Sequence, residues 1–79
     1  MPNDTRARLE EIFRAVFNAP AAVDVTVAQQ KKTPEWDSLA HVMIVTAIES
    51  EFGITLDADE QLRMTSFEAT AALLTERGL

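Results

Sequence analysis

The residues of this chain that could do chemistry are few, and they gather at one point. Ser38 follows Asp37 and precedes Leu39-Ala40-His41, so a hydroxyl, a carboxylate and the only imidazole fall within little more than one helical turn. A serine becomes a nucleophile when a nearby base takes its proton. Here Ser38 sits at the tip of the helix expected from this point, and His41 turns elsewhere, so a Ser-His-Asp triad is not expected. A hydroxyl at a helix start suits a different chemistry. Free backbone N–H groups and the positive end of the helix dipole favour an anion there, which makes it a suitable place to hang a phosphodiester. A serine after Asp and before an apolar run is also an ordinary helix cap. Spacing alone leaves both readings open.

The rest of the inventory is thin. The chain has no Cys, no Tyr and two Gly, both near expected helix ends. No glycine-rich phosphate loop is present. A nitrogen or sulfur metal site would have only His41 to draw on. Asp57, Asp59 and Glu60 lack the Asp-x-Asp-x-Asp-Gly spacing and distant Glu of a calcium loop, so no metal is expected. The net charge is −6, and it is unevenly placed. Residues 1–34 carry four carboxylates against five cations, whereas residues 35–79 carry nine against two. Such a surface repels nucleic acid and favours partners with basic patches, although acidity also serves plain solubility.

At 79 residues the chain is expected to form one domain spanning 1–79, held by packing its 47% apolar residues without disulfides. No run approaches the length of a membrane span. The segment Met1 to Arg6 lacks the apolar core of a signal peptide, so the cytoplasm is the expected compartment.

Periodicity supplies the elements. Leu9, Ile12, Phe13, Val16 and Phe17 mark one buried face of a helix from about Asp4 to Phe17, stopped by Asn18-Ala19-Pro20. Residues 18–36 form a long connection. Within it, Val23-Asp24-Val25-Thr26-Val27 alternates but has no second run to pair with, and reads as an extended loop whose valines pin it to the core. Gln29 to Pro34 is polar and expected to be mobile. A second helix spans Ser38 to Phe52, capped by Asp37 or Ser38 and closed by Gly53. Asp57-Ala58-Asp59-Glu60 starts a short third helix reaching about Arg63. Thr65-Ser66-Phe67-Glu68 has the form of a capping box and opens a fourth, with Phe67, Ala71 and Leu74 on one face and Leu73 at its edge. The expected fold class is all-α, a four-helix bundle with one long connection and one short helix.

On a wheel of the second helix, Ile44, Val45, Ile48 and Phe52 cluster on one side with His41 among them. A single His on an apolar face is most often a core residue with its nitrogens hydrogen-bonded. Leu39, Met43, Thr46 and Ser50 occupy the opposite side, with Glu49 and Glu51 at the far end. An apolar pair with an acidic fringe beside an exposed hydroxyl reads as a docking surface, though isolated surface hydrophobes are common.

These residues resemble a family. Asp37-Ser38-Leu39 is similar to the Asp-Ser-Leu motif of acyl carrier proteins, in which the serine carries 4′-phosphopantetheine. Trp36-Asp37-Ser38-Leu39-Ala40-His41-Val42 looks like the form found in stand-alone carriers of bacterial biosynthetic clusters. Ile48-Glu49-Ser50-Glu51-Phe52-Gly53-Ile54 is similar to the family's Leu-Glu-Glu-Glu-Phe segment, and Asp57 to Phe67 fits its third helix and the start of the fourth. The resemblance covers about residues 4–77. It implies a four-helix bundle of acyl-carrier type. It implies that a phosphopantetheinyl transferase, using magnesium, moves the arm from coenzyme A to Ser38. The arm's thiol would hold acyl cargo as a thioester, and the carrier, not itself an enzyme, would deliver it to acyl-loading and acyl-using enzymes. Asp37 and Leu39 would lie in the surface that the transferase reads, and Met43, Glu49 and Glu51 in the partner surface. His41, Val45, Ile48 and Met64 would line an acyl cavity. A monomer that binds neither nucleic acid nor membrane is implied.

Two departures point away from the housekeeping carrier of fatty acid biosynthesis. Pro34-Glu35-Trp36 stands where many carriers have Leu-Gly-x. Ala40 and Met43 stand where acidic residues are common. A specialised polyketide, lipid-modification or polysaccharide-linked pathway fits better, with His41 making the cavity more polar and favouring short cargo. The competing readings are a carrier-like interaction module without the arm, docking through Leu39 and Met43, and an aminoacyl or peptidyl carrier.

Overall fold

The computed structural model describes residues 2–79, with side chains from Thr5 onward. Met1, where the signal-peptide argument begins, lies outside the described residues. Four helices follow in order: α1 (Pro2–Phe17), α2 (Ser38–Phe52), α3 (Ala58–Arg63) and α4 (Phe67–Glu76), with a 3-10 turn at Val25–Val27 between α1 and α2. No strand occurs among the described residues. α1 lies along α2 and touches α4, the 3-10 turn packs on α1 and α4, and α3 leans on α4.

α1 starts before the expected Asp4. Pro2 suits the first turn because its missing N–H would have no intrahelical acceptor there. The helix ends at Asn18, whose φ of 52° is left-handed. Asn tolerates that conformation, and the Ala19 N–H then donates to the Arg14 carbonyl at 2.9 Å. Arg14 holds the outgoing chain by donating to the carbonyls of Pro20 and Val23. The stop therefore lies just before the proline-imposed one.

The core forms where the apolar stripes meet. Leu9, Phe13, Ile44, Ile48, Met64, Phe67 and Leu74 are fully buried. Phe13 sits at its centre, with the rings of Trp36 and Phe67 each 5.1 Å away and that of Phe17 at 5.7 Å, all edge to face. Such pairs add about 0.5–1.5 kcal/mol each beyond burial. Among the described residues one polar residue, Thr70, is fully buried, and its hydroxyl donates to the Ser66 carbonyl at 2.8 Å.

The long connection differs from the expected extended, mobile loop. Asp24 caps the 3-10 turn, accepting from the Thr26 N–H and hydroxyl. Of the three valines only Val25 reaches the core, at 3% exposure; Val23 and Val27 stay exposed. The stretch after it is hydrogen-bonded. Gln29 bridges to Ser66, the Gln30 N–H donates to the Thr65 carbonyl, and the N–H groups of Lys32 and Thr33 donate back to the Gln29 carbonyl. Its partner is the chain just before α4, which sequence alternation does not reveal. The α4 cap also differs from the expected capping box. Ser66 accepts from the Ala69 N–H, while Glu68 turns outward to a bidentate pair with Arg6. α3 starts where expected, and a capping box forms there, with Asp57 and Glu60 bonding each other's backbone N–H.

Charged pairs join the elements: Arg6 to Glu68, Arg8 to Glu51, Arg63 to Glu76 and Arg77 to Glu60. Arg77 also donates to the Thr55 carbonyl, so it clasps both sides of α3's start. The Arg77 hydrogen bonds, followed by that from the Asp57 N–H, hold the Glu60 carboxyl down at about 2. A depressed carboxylate stabilises the fold above its unfolded value and ceases to do so as pH falls through its folded one. Glu68 and Asp24 are lowered too, by hydrogen bonds from Arg6 and Thr26. Thermal unfolding followed from pH 4.5 down to about 2 should therefore show falling stability. Glu60→Gln should start less stable at neutral pH and lose less across that window.

Candidate functional site

Asp37, not Ser38, caps α2. Its carboxylate accepts the Ala40 N–H at 2.9 Å, and its carbonyl accepts the His41 N–H. Ser38 is the first helical residue. Its side chain is exposed, and its hydroxyl makes no hydrogen bond among the described residues. The N–H groups of Ser38 and Leu39 belong to the first turn and have no intrahelical acceptor. The serine therefore combines a free hydroxyl with open donors and the positive end of a 15-residue helix. That is the fit a phosphodiester needs: its negative oxygens would face N–H groups, and no bond of the fold would be lost in making it.

What aims this serine is Trp36. Its indole is buried to 3% exposure, edge-on to Phe13 and beside Phe17. Trp36 immediately precedes the cap, and His41 is the fourth residue after it. These are the positions at which a hydrophobic pair commonly fixes the angle of a chain entering a helix. Here the pair is polar as well: the indole N–H donates to His41 Nδ1 at 3.0 Å, with the two rings 24° apart. His41 Nε2 lies 3.0 Å from the Gln61 carbonyl of α3. An indole nitrogen only donates, so Nδ1 accepts, and the imidazole proton sits on Nε2 and is given to Gln61. Both ring nitrogens are engaged away from Ser38, which leaves His41 no part in activating that hydroxyl.

The other expected site residues separate into groups. Leu39 and Met43 are exposed, at 69% and 46%. Val42, which the wheel reading left out, is 60% exposed and belongs with them. Val42, Met43, Thr46, Ala47 and Ser50 of α2 and Ala15 and Val16 of α1 line an open, mostly apolar groove of about 400 Å³ that runs along α2 from one turn after Ser38. A larger cleft, about 640 Å³, lies between the connection and the start of α4, and none of these residues lines it. The acidic fringe is engaged within the chain. Glu49 accepts the Leu56 N–H at 2.8 Å, and Glu51 is paired with Arg8. Val45, Ile48 and Met64 lie in the closed core, at 7%, 0% and 0% exposure. Asp57 and Glu60 are used by the α3 cap and Arg77. Among the described residues no cluster of three or more metal-ligating side chains occurs, and no helix is long and apolar enough to cross a membrane.

This division of labour is measurable. Asp37→Ala should cost about 1 kcal/mol of unfolding free energy through loss of the cap. Ser38→Ala should stay within about 0.5 kcal/mol of the parent, as for a surface residue without a structural role. Urea titrations of the two variants give both values. Comparisons of the chain with protein-family models, with curated proteins and with solved structures found no match.

Proposed function

We propose that the chain is an acyl carrier of the phosphopantetheine type, with Ser38 as the attachment residue. The observation that carries this reading is that Ser38 is exposed and unbonded while its neighbour Asp37 does the capping. The helix cap is therefore complete without the Ser38 hydroxyl. The resemblance of Asp37-Ser38-Leu39 and its surroundings to carrier sequences supports the same residue, and the all-helical architecture is compatible with it.

In this reading the Ser38 oxygen attacks phosphorus in the pyrophosphate of coenzyme A. A P–O bond forms from serine to the phosphorus that bears the pantetheine arm, the pyrophosphate P–O bond breaks with adenosine 3′,5′-bisphosphate as the leaving group, and the serine proton passes to a base of the transferase. The chain's own part is to position. Trp36 fixes the direction of the incoming backbone and Asp37 holds the first turn closed, and the open N–H groups of Ser38 and Leu39 would be available to the phosphate oxygens. When bound, the arm supplies a thiol for thioester chemistry, which accounts for a carrier without cysteine of its own. Leu39, Val42 and Met43 offer partner enzymes an apolar surface beside the attachment point. A specialised pathway is favoured over housekeeping fatty acid synthesis, because α2 presents apolar residues there and its carboxylates Glu49 and Glu51 are engaged within the chain.

Incubation with coenzyme A, magnesium and a broad-specificity phosphopantetheinyl transferase should raise the intact mass by one phosphopantetheine. Ser38→Ala should show no gain. Absence of any gain in the parent protein with several transferases would instead favour an interaction module that docks through Leu39 and Met43.

A further inference from the structure

α1 and α2 run antiparallel. Arg8 of α1 meets Glu51 of α2 at one end, and Val16 shares a groove with Val42 and Met43 at the other. Leu9, Phe13, Ile44 and Ile48 fill the inner side of this seam. The outer side is open. Ala15, Val16 and Ala47 line both the groove of about 400 Å³ beside Met43 and a second hollow of about 390 Å³, which continues it toward Arg8 and Glu11. The two form one furrow. From Val42 to Glu51 it follows α2 for about 14 Å at the rise of a helix. Leu39, one turn before Val42, extends its apolar row toward Ser38.

The shape of the furrow suits a helix. Ala15 and Ala47 keep its floor low, so the axis of another helix can approach closely, while Val42 and Met43 form an exposed apolar wall. Its two ends differ in charge. No charged side chain lines the part near Ser38. The far part is lined by Arg8, Glu11 and Glu51. Arg8 donates to the carboxylate and the carbonyl of Glu51 and stands over the Phe52 ring. Glu11 is exposed and has no ion pair or hydrogen bond among the described residues. The furrow therefore ends on one uncompensated negative charge. A second copy of the chain does not answer it: the one cation in the lining is held by Glu51, and two copies at −6 repel each other.

We propose that the furrow between α1 and α2 receives one amphipathic helix of a partner protein, with apolar side chains at i, i+4 and i+7 along its floor and a Lys or Arg about one turn further on, against Glu11. This rests on the reading of Leu39, Val42 and Met43 as a partner surface and names what fits it; it uses neither the arm nor its chemistry. A contact of a few helical turns belongs with small, transient interfaces, as a protein that passes between partners requires.

The probe is a synthetic helix of about 18 residues, stapled to stay helical, with leucines at i, i+4 and i+7 and a lysine at i+11. A second peptide has glutamate in place of that lysine. At low salt, titration of the lysine peptide into isotope-labelled protein should shift the amide NMR signals of Ala15, Val16, Val42, Met43 and Ala47. It should bind about fivefold more tightly than the glutamate peptide. Glu11→Gln should remove that preference. Val42→Ser, at an exposed position that leaves the fold intact, should weaken both peptides about threefold. No binding up to about 1 mM peptide, shifts centred on the cleft between the connection and α4, or a preference that survives Glu11→Gln overturns the proposal. So does a dimer of the protein alone, at the same concentration, that shifts the same amides. Failure of Ser38 to accept phosphopantetheine is a separate result: it removes the carrier reading and leaves these outcomes unchanged.

Discussion

The indole N–H of Trp36 is a buried polar group, and the structure around Ser38 depends on how it is satisfied. Burying so large a ring contributes on the order of several kcal/mol, judged by the cost of truncating such residues. A chain of this size has a total stability of only about 4–12 kcal/mol. Leaving the one polar atom of the ring without an acceptor would offset about 1–3 kcal/mol of that gain. His41 Nδ1 is that acceptor, at 3.0 Å. The consequence runs outward from it. Trp36 fixes the last step of the connection, Asp37 then caps α2, and Ser38 emerges on the exposed tip with no structural duty. The same imidazole has a second nitrogen, which must carry the proton that Nδ1 lacks, and it gives that proton to α3.

One side chain thereby couples three parts of the fold that share little apolar contact. α2 packs chiefly on α1, while α3 leans on α4. The aromatic group around Phe13 binds α1, the connection and α4 into one core, and the charged pairs of Arg77 and Arg63 tie α3 to α4. Exposed pairs of that kind contribute about 0–1 kcal/mol each, so they orient α3 more than they stabilise it. Between α2 and α3 the connection is polar and narrow. That is why a feature as small as one imidazole tautomer bears on how α3 is held against α2.

Most of the helices were legible in the sequence because their signals are local. The i, i+3, i+4 stripe of Leu9 to Phe17, the Asp57–Glu60 capping box and Gly53 in a left-handed position, with φ of 65°, depend only on neighbours along the chain. What escaped was settled by distant partners. The polar stretch from Gln29 is ordered by Thr65 and Ser66, and Glu68 is drawn from its expected cap role to Arg6. Val23 and Val27 look like core residues by composition, but the 3-10 turn rotates them outward and leaves Val25 to pack. Single-residue motifs were the most ambiguous: Asp37 and Ser38 are equally good caps by type, and only the geometry divides cap from free hydroxyl. Glu49 and Glu51 read as an open acidic fringe, yet a backbone N–H and an arginine from other elements occupy them. Trp36 and His41 were both conspicuous, and their spacing across the cap was the available signal that they meet.

The arrangement around Ser38 depends most directly on the state of the His41 ring. Nitrogen NMR of the imidazole, unambiguous in a chain with one histidine, reads that state at neutral pH. The structure predicts a single neutral tautomer with Nε2 protonated and Nδ1 a hydrogen-bonded acceptor. A proton on Nδ1, or averaging between the two tautomers, would contradict it, because neither leaves the Trp36 indole a fixed acceptor or gives Gln61 a fixed donor.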